Sequence, residues 1–106
     1  MKKARALDVF VVIADEARRS EALGILQQLR DAGWRADYPL TAQKMGKQFQ
    51  HAEDAKARFA VIVGAEFPTL AVKNLRTRDQ MEVPAERIVE KLMELFAAPE
   101  YRDLIA

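Results

Sequence analysis

The hydrophobic positions of this chain change period several times, and each change marks an element. Asp8-Val9-Phe10-Val11-Val12-Ile13 is a continuous β-branched and aromatic run, which predicts a strand buried on both faces between helices. From Glu16 to Ala32, the residues Ala22, Ile25, Leu26 and Leu29 recur at three- and four-residue spacing. That stripe predicts a helix, with Asp15 able to cap it and Gly33 placed to end it in the left-handed conformation. Trp34 to Tyr38 alternates and predicts a second strand, with Trp34, Ala36 and Tyr38 on one face and Pro39 as its end. A strand, a helix and a strand without a hairpin turn imply a right-handed crossover and parallel pairing.

A second helix is predicted from about Gln43 to Ala55, with Thr41 as N-cap and Met45, Phe49 and Ala52 as its apolar positions. Gly46 within it costs about 1 kcal/mol against alanine. Phe59-Ala60-Val61-Ile62-Val63 is another buried strand, stopped by Gly64. Leu70 to Leu75 and Gln80 to Val83, separated by Arg76-Thr77-Arg78-Asp79, predict an antiparallel hairpin at the sheet edge. Pro84 suits the first turn of a last helix with the stripe Ile88, Val89, Leu92, Leu95 and Phe96, which Pro99 stops. Glu100 to Ala106 is expected to be a frayed extension or a short helix.

The order β-α-β-α-β-β-β-α predicts an α/β fold: a single three-layer domain whose mixed five-stranded sheet has a parallel centre, an antiparallel edge hairpin and three helices. The 106 residues suit one domain, with 1–7 expected as an N-terminal arm and 98–106 as a C-terminal tail. Half the residues are hydrophobic and 31% are charged, the balance of a globular protein, and no apolar run is long enough to span a bilayer. The run Val9 to Ile13 is also too short for a secretory segment, so the expected compartment is the cytoplasm. Cysteine is absent, which excludes disulfides and thiolate metal sites, and the single histidine, His51, argues against a zinc site. No cofactor is expected.

The net charge of +1 conceals an uneven distribution. Residues 40–80 hold seven Lys/Arg against four Asp/Glu, whereas residues 81–106 hold three against six. The middle of the chain can therefore present a basic face to an anion. No nucleophile elbow, Cys/His or Ser/His pair, or phosphate loop is visible. His51 falls away from the apolar stripe of its helix and reads as exposed. Glu82, Glu86, Glu90 and Glu94 at four-residue spacing read as a solvated acidic helix face rather than an acid–base pair. What remains is the rim at the carboxyl ends of the parallel strands: Ala14 to Arg18, Leu40 to Gln48 and Gly64 to Thr69. Loops and helix N-termini converge at such a rim in open α/β sheets. Thr41-Ala42-Gln43-Lys44-Met45-Gly46-Lys47-Gln48 combines two lysines, two amide side chains and a helix start, a mixture suited to single-stranded nucleic acid.

Four segments carry a family resemblance. Leu26 to Gly33 is similar to an "LRxxG" helix close, and Lys44 to Glu53 resembles a "K-x-x-K-Q-x-x-x-A-D" helix. Arg58 to Gly64 resembles a third strand ending in glycine, and Ala71 to Gln80 resembles a "V-K-D-L-x-T-G-E-Q" hairpin. Together they resemble the C-terminal anticodon-binding domain shared by the histidyl-, glycyl-, threonyl- and prolyl-tRNA synthetases, with the "K-Q" helix and the hairpin pointing to the histidyl branch. The similarity runs from about Asp8 to Phe96. The chain departs from the pattern in a shorter turn after Gly64, in Asn74 where aspartate is usual, and in Arg78 where glycine is usual.

The resemblance implies a surface that reads unstacked anticodon bases of tRNA. Carried over position by position, it implies RNA contacts from Gln43, Lys44, Lys47, Gln48, Gln50, Glu66 and Lys73. Lysines would meet phosphates or guanine acceptors, Glu66 would accept from a base amino group, and the amides would make mixed contacts. The chain alone is expected to be non-catalytic, with no catalytic residue, as either a domain of a histidine–tRNA ligase or a stand-alone relative. A synthetase catalytic domain would be its partner in cis or in trans. The competing expectation is a protein–protein interaction or regulatory module that kept this fold without binding tRNA.

Overall fold

The computed structural model describes residues 6–97. Strand β1 (Val9–Ile13) is followed by a 3-10 turn (Glu16–Arg18) and helix α1 (Arg19–Asp31), then strand β2 (Ala36–Asp37) and helix α2 (Met45–Asp54). Strands β3 (Phe59–Val63), β4 (Thr69–Asn74) and β5 (Gln80–Pro84) follow, and a second 3-10 turn (Ala85–Arg87) leads into helix α3 (Ile88–Phe96). The five strands form one sheet in the order β2-β1-β3-β4-β5. β1 pairs in parallel with both β2 and β3, and β4 is antiparallel to both β3 and β5. The expected α/β architecture is therefore the observed one. The expected stops beyond residue 97, Pro99 and the Glu100–Ala106 tail, lie outside the described residues, as do residues 1–5 of the arm.

The alternation of side chains along the strands sorts the core into two layers. Val9, Val11 and Ile13 of β1 pack with Phe59, Val61 and Val63 of β3 beneath Ala22, Ile25, Leu26 and Leu29 of α1 and Ile88 and Leu92 of α3. Phe10, Val12 and Ala60 point to the opposite face, where Ala52 of α2 covers them. Every residue of β1 is buried. That is why its sequence reads as an unbroken apolar run.

The ends of the elements follow local chemistry. The Asp15 carboxylate accepts from the Ala17 N–H at 3.0 Å and caps the 3-10 turn that opens α1. Gly33, at φ +101, closes α1 by returning the Trp34 N–H to the Leu29 carbonyl at 3.2 Å. Strand β2 is only two residues long, shorter than the expected Trp34–Tyr38, although Trp34, Ala36 and Tyr38 do pack on one layer. Pro39 lacks an N–H with which to extend the ladder. Helix α2 starts at Met45 rather than Gln43, with Lys44 in the N-cap position and no side-chain cap, so Thr41 does not cap it. Glu82 lies on β5 and Glu86 in the second 3-10 turn, with only Glu90 and Glu94 on the last helix, so the expected acidic row is split among three elements.

Candidate nucleic-acid interface

Because β1, β2 and β3 are parallel, their carboxyl ends meet at one rim. The residue that builds this rim is Gln48. Its side chain is completely buried, the only buried polar side chain among the described residues. Its Oε1 accepts from the Ile13 N–H at 2.7 Å, and its Nε2 donates to the Ile13 carbonyl at 2.8 Å and to the Gln43 carbonyl at 2.8 Å. β2 pairs with β1 only at Val9 and Phe10, so the amide of Gln48 stands in for a strand where β2 has ended. The expectation that Gln48 contacts RNA is corrected here, because its hydrogen-bonding groups are spent on backbone and no part of it reaches the surface. It positions the start of α2 against the end of β1.

The other expected residues separate by flank. A helix turns about 100° per residue, which places Met45, Phe49 and Glu53 on the side of α2 facing the β4–β5 hairpin. Two contacts mark that side. Lys73 Nζ sits 5.1 Å from the centroid of the Phe49 ring, and Arg78 donates to the Glu53 carboxylate at 2.9 Å. The opposite flank carries Lys47, His51 and Asp54, with the His51 ring 6.3 Å from that of Phe10. Lys47 is exposed, and Gln50 is exposed with its Nε2 donating to Asp54 at 2.9 Å. Lys44 is exposed at the tip between the two flanks. Gln43 is half-buried, and its Oε1 is sealed from solvent without a hydrogen-bond partner. Lys73 is thus brought against Phe49 in the middle of α2, with Lys44 exposed at the start of the helix, whereas Lys47 and Gln50 face away and Gln43 lines a separate pocket with Tyr38, Pro39 and His51 on the opposite flank.

The floor of the groove between α2 and the hairpin is the uncovered part of the sheet. α2 covers β1 and the edge of β3 but leaves the same face of β4 and β5 open. Register places Ala60, Lys73 and Gln80 in one row across the strands and Ile62, Ala71 and Glu82 in the next. Lys73 and Ala71 are half-buried, while Gln80 and Glu82 are exposed. The result is a shallow face bearing an aromatic ring, a held ammonium, an amide and a carboxylate, able to stack a planar group and to donate and accept at its edges. Sequence reasoning missed Phe49, Gln80 and Glu82. Phe49 was absorbed into the apolar stripe, and the alternation of β5 was the available signal for the other two.

Glu66 is exposed on the loop that leaves β3. That loop is a tight turn with the Phe67 N–H on the Gly64 carbonyl at 3.0 Å and the Thr69 N–H on the Glu66 carbonyl at 2.9 Å, and its Phe67–Pro68 bond is cis. A side chain at Gly64 would meet Ala14 Cβ at 3.2 Å, so glycine allows the ends of β1 and β3 to approach closely, while the Glu66 carboxylate at 3.7 Å would be in ordinary contact. Behind the loop, the Arg18 guanidinium lies 5.8 Å from the Phe67 ring. Arg19 binds the exposed carboxylate of Glu16 at 2.7 Å and the Pro39 carbonyl at 2.8 Å. The hydrogen bond from Arg19 holds the Glu16 carboxyl below its ordinary range, and the same bond raises the Arg19 guanidinium.

The two substitutions in the hairpin turn preserve its form. Asn74 Oδ1 accepts from the Arg76 and Thr77 N–H groups at 2.9 and 3.1 Å, as an aspartate would. Arg78 takes the left-handed conformation, φ +71, that glycine adopts without cost. Among the described residues no helix is long and apolar enough to cross a membrane, and no cluster of His, Cys, Asp and Glu is arranged to hold a metal ion.

Comparison with known proteins places this geometry. The sequence profile of the anticodon binding domain matches residues 8–95. A histidine–tRNA ligase of Opitutus terrae is 34% identical over 96 residues, covering 88% of this chain and 22% of that protein. One of Xylella fastidiosa is 36% identical over 90 residues, covering 82% and 19%. The chain thus spans about a fifth of the length of these relatives. The crystal structure of histidyl-tRNA synthetase from Nostoc sp. PCC 7120 superposes with a TM-score of 0.80 at 29% identity, over 88% of this chain and 23% of that one. The RNA binding domain of threonyl-tRNA synthetase from Cryptosporidium parvum shares the fold at a TM-score of 0.74 and 13% identity, over 83% of this chain and 23% of that one. With the profile running through all five strands and all but the last residue of the third helix, the chain belongs to the anticodon binding domain family.

Proposed function

We propose that this chain binds the anticodon stem-loop of a tRNA, specifically a histidine tRNA, as the anticodon-reading part of a histidyl-tRNA synthetase whose catalytic domain acts in cis or in trans. A cytoplasmic location accompanies that reading. The observation that carries it is the ammonium of Lys73 held over the Phe49 ring on an otherwise uncovered sheet face. An unstacked base can lie against this aromatic and cationic floor. Lys44, at the uncapped start of α2, and Lys73 are assigned to phosphate or to guanine acceptors, and Glu66 to a base amino group. Gln43 offers its amide nitrogen, because its oxygen is sealed. Lys47 and Gln50, on the outer flank, are assigned to the backbone of the loop rather than to its bases. The interaction-module reading is not favoured, since the relatives matched along most of the chain are histidine–tRNA ligases.

Titration of a fluorescent histidine anticodon stem-loop at 50 and 200 mM salt tests this. Binding should weaken as salt rises, and Lys44→Ala and Lys73→Ala should each lower affinity by about fivefold to tenfold. Absence of binding at low salt, or retention of full affinity by both variants, would overturn it.

A further inference from the structure

Among the described residues, two Lys/Arg-x-Arg segments, Lys56-Ala57-Arg58 and Arg76-Thr77-Arg78, remain outside that interface. They lie far apart in sequence, but the fold brings them together at the amino end of β3. The Arg58 N–H donates to the Asp8 carbonyl at 3.1 Å, and the Leu75 N–H donates to the Arg58 carbonyl at 3.0 Å, which joins the α2–β3 turn to the hairpin turn. Lys56, Arg58, Arg76 and Arg78 line a single cavity of about 410 Å³ with Ala6, Ala57, Leu75 and Glu53. Four cations against one carboxylate leave an excess of three positive charges in the lining, and Arg78 already engages that carboxylate.

The backbone gives a second, independent indication. Helix α2 ends as α1 does, with the Ala57 N–H returning to the Ala52 carbonyl at 3.0 Å, but the residue in the left-handed position is Lys56, φ +60, where α1 has Gly33. Arg78, φ +71, is the only other non-glycine residue with positive φ among those described. Both of these costly conformations carry a long cation, and both cations line the same cavity.

The cavity continues the groove already described. Glu53 is one helical turn beyond Phe49 on the same flank of α2, and Lys73, Arg76 and Arg78 follow one another along the hairpin that forms the other wall. Arg76 lies three residues beyond Lys73, in the turn that closes the hairpin just after β4 ends at Asn74. A polyanion lying on the sheet face therefore runs into the arginine cluster.

We propose that this cluster is a second RNA site, which grips the phosphate backbone of the same RNA beyond the bases read at the rim, without regard to sequence. The proposal rests on the function proposed above. Phosphate contacts position an RNA and steepen the salt dependence of binding, while base contacts set its preference.

The test compares three ligands on the whole chain: the histidine anticodon stem-loop, a stem-loop with a scrambled anticodon, and an acidic peptide. The variants are Arg76→Gln combined with Lys56→Gln, and Lys56→Gly alone. The double variant should lose about tenfold in affinity for both stem-loops and flatten the salt slope by one to two, with the ratio between the stem-loops unchanged. Lys56→Gly should weaken both stem-loops by a few-fold while leaving the melting temperature at or above that of the parent, so a loss of folding cannot account for it. Unchanged RNA affinity and slope in these variants, while Lys73→Ala loses binding, would overturn this proposal and leave the rim interface standing. Loss of acidic-peptide binding alone would overturn it in favour of a protein partner. Failure of the parent chain to bind either stem-loop would overturn both proposals.

Discussion

The buried amide of Gln48 makes the sharpest demand on the fold. Replacement by leucine keeps the volume but orphans the Ile13 N–H, the Ile13 carbonyl and the Gln43 carbonyl. An unsatisfied buried backbone group costs about 1–3 kcal/mol. Part of the Gln43 carbonyl's loss is recovered by water, because that bond is only partly buried, and leucine gains some transfer energy. The net expectation for Gln48→Leu is a loss of about 2–4 kcal/mol, a large share of the roughly 5–15 kcal/mol of a typical domain. Gln48→Glu is more diagnostic. As a carboxylate it can only accept, so it faces the Ile13 carbonyl unfavourably, whereas the protonated acid can again donate to that carbonyl and accept from the Ile13 N–H.

Burial raises the carboxyl pKa in the folded state above its value of about 4.3 in the unfolded chain. A raised folded-state pKa means that the acid's stabilisation is fully present below the unfolded value and is lost as pH rises through the folded value. The deficit of Gln48→Glu relative to the parent should therefore be small at pH 4 and larger by about 2 kcal/mol at pH 8. The Gln48→Leu deficit should be the same at both. Urea denaturation followed by fluorescence of Trp34, the sole tryptophan, reads all three proteins. A leucine variant within 0.5 kcal/mol of the parent, or a glutamate variant whose deficit does not change with pH, would refute the reasoning.

Other expected outcomes follow from single features of the structure. Gly33→Ala forces alanine to φ +101 and should lose about 1 kcal/mol in chemical denaturation, while Gly24→Ala, within α1 and with open space around it, should gain up to about 1 kcal/mol. Phe96 packs against Trp34 and edge-on against Phe59, so Phe96→Ala should cost about 3 kcal/mol and shift the tryptophan emission in the folded state. The Glu16 carboxyl should titrate below the ordinary glutamate range by NMR and return towards it in Arg19→Ala. Any stability this pair confers is present at neutral pH and disappears as pH falls through the lowered value.

What the sequence revealed and what it hid have the same cause. β1, β3 and the α1 stripe were legible because burial between two layers demands apolar residues at every strand position and at every third or fourth helix position. Gly33 and Asp15 were legible because their conformational and capping roles are local. Gln48 was misread because its partner, Ile13, is 35 residues away. Its place among Met45, Phe49 and Ala52 completes a helical stripe, and a polar residue on that stripe was the available sign of a buried hydrogen bond. The left-handed backbone at Lys56 left no sign, since lysine is not a residue type that favours it, whereas at Arg78 the one sign was that it stands where the resembled pattern has glycine. The open face of β4 and β5 depended on how far α2 reaches across the sheet, which no local pattern records.

The central claim is that the groove between α2 and the hairpin receives RNA. Amide and side-chain NMR shifts of the chain titrated with a histidine anticodon stem-loop test it most directly. The account predicts changes at Lys44, Phe49, Glu66, Lys73 and Gln80, with Ser20, Gln27 and Glu90 on the opposite layer unmoved. Changes concentrated on α1 and α3, or none at the Phe49 ring and the Lys73 side chain when the RNA is saturating, would contradict it.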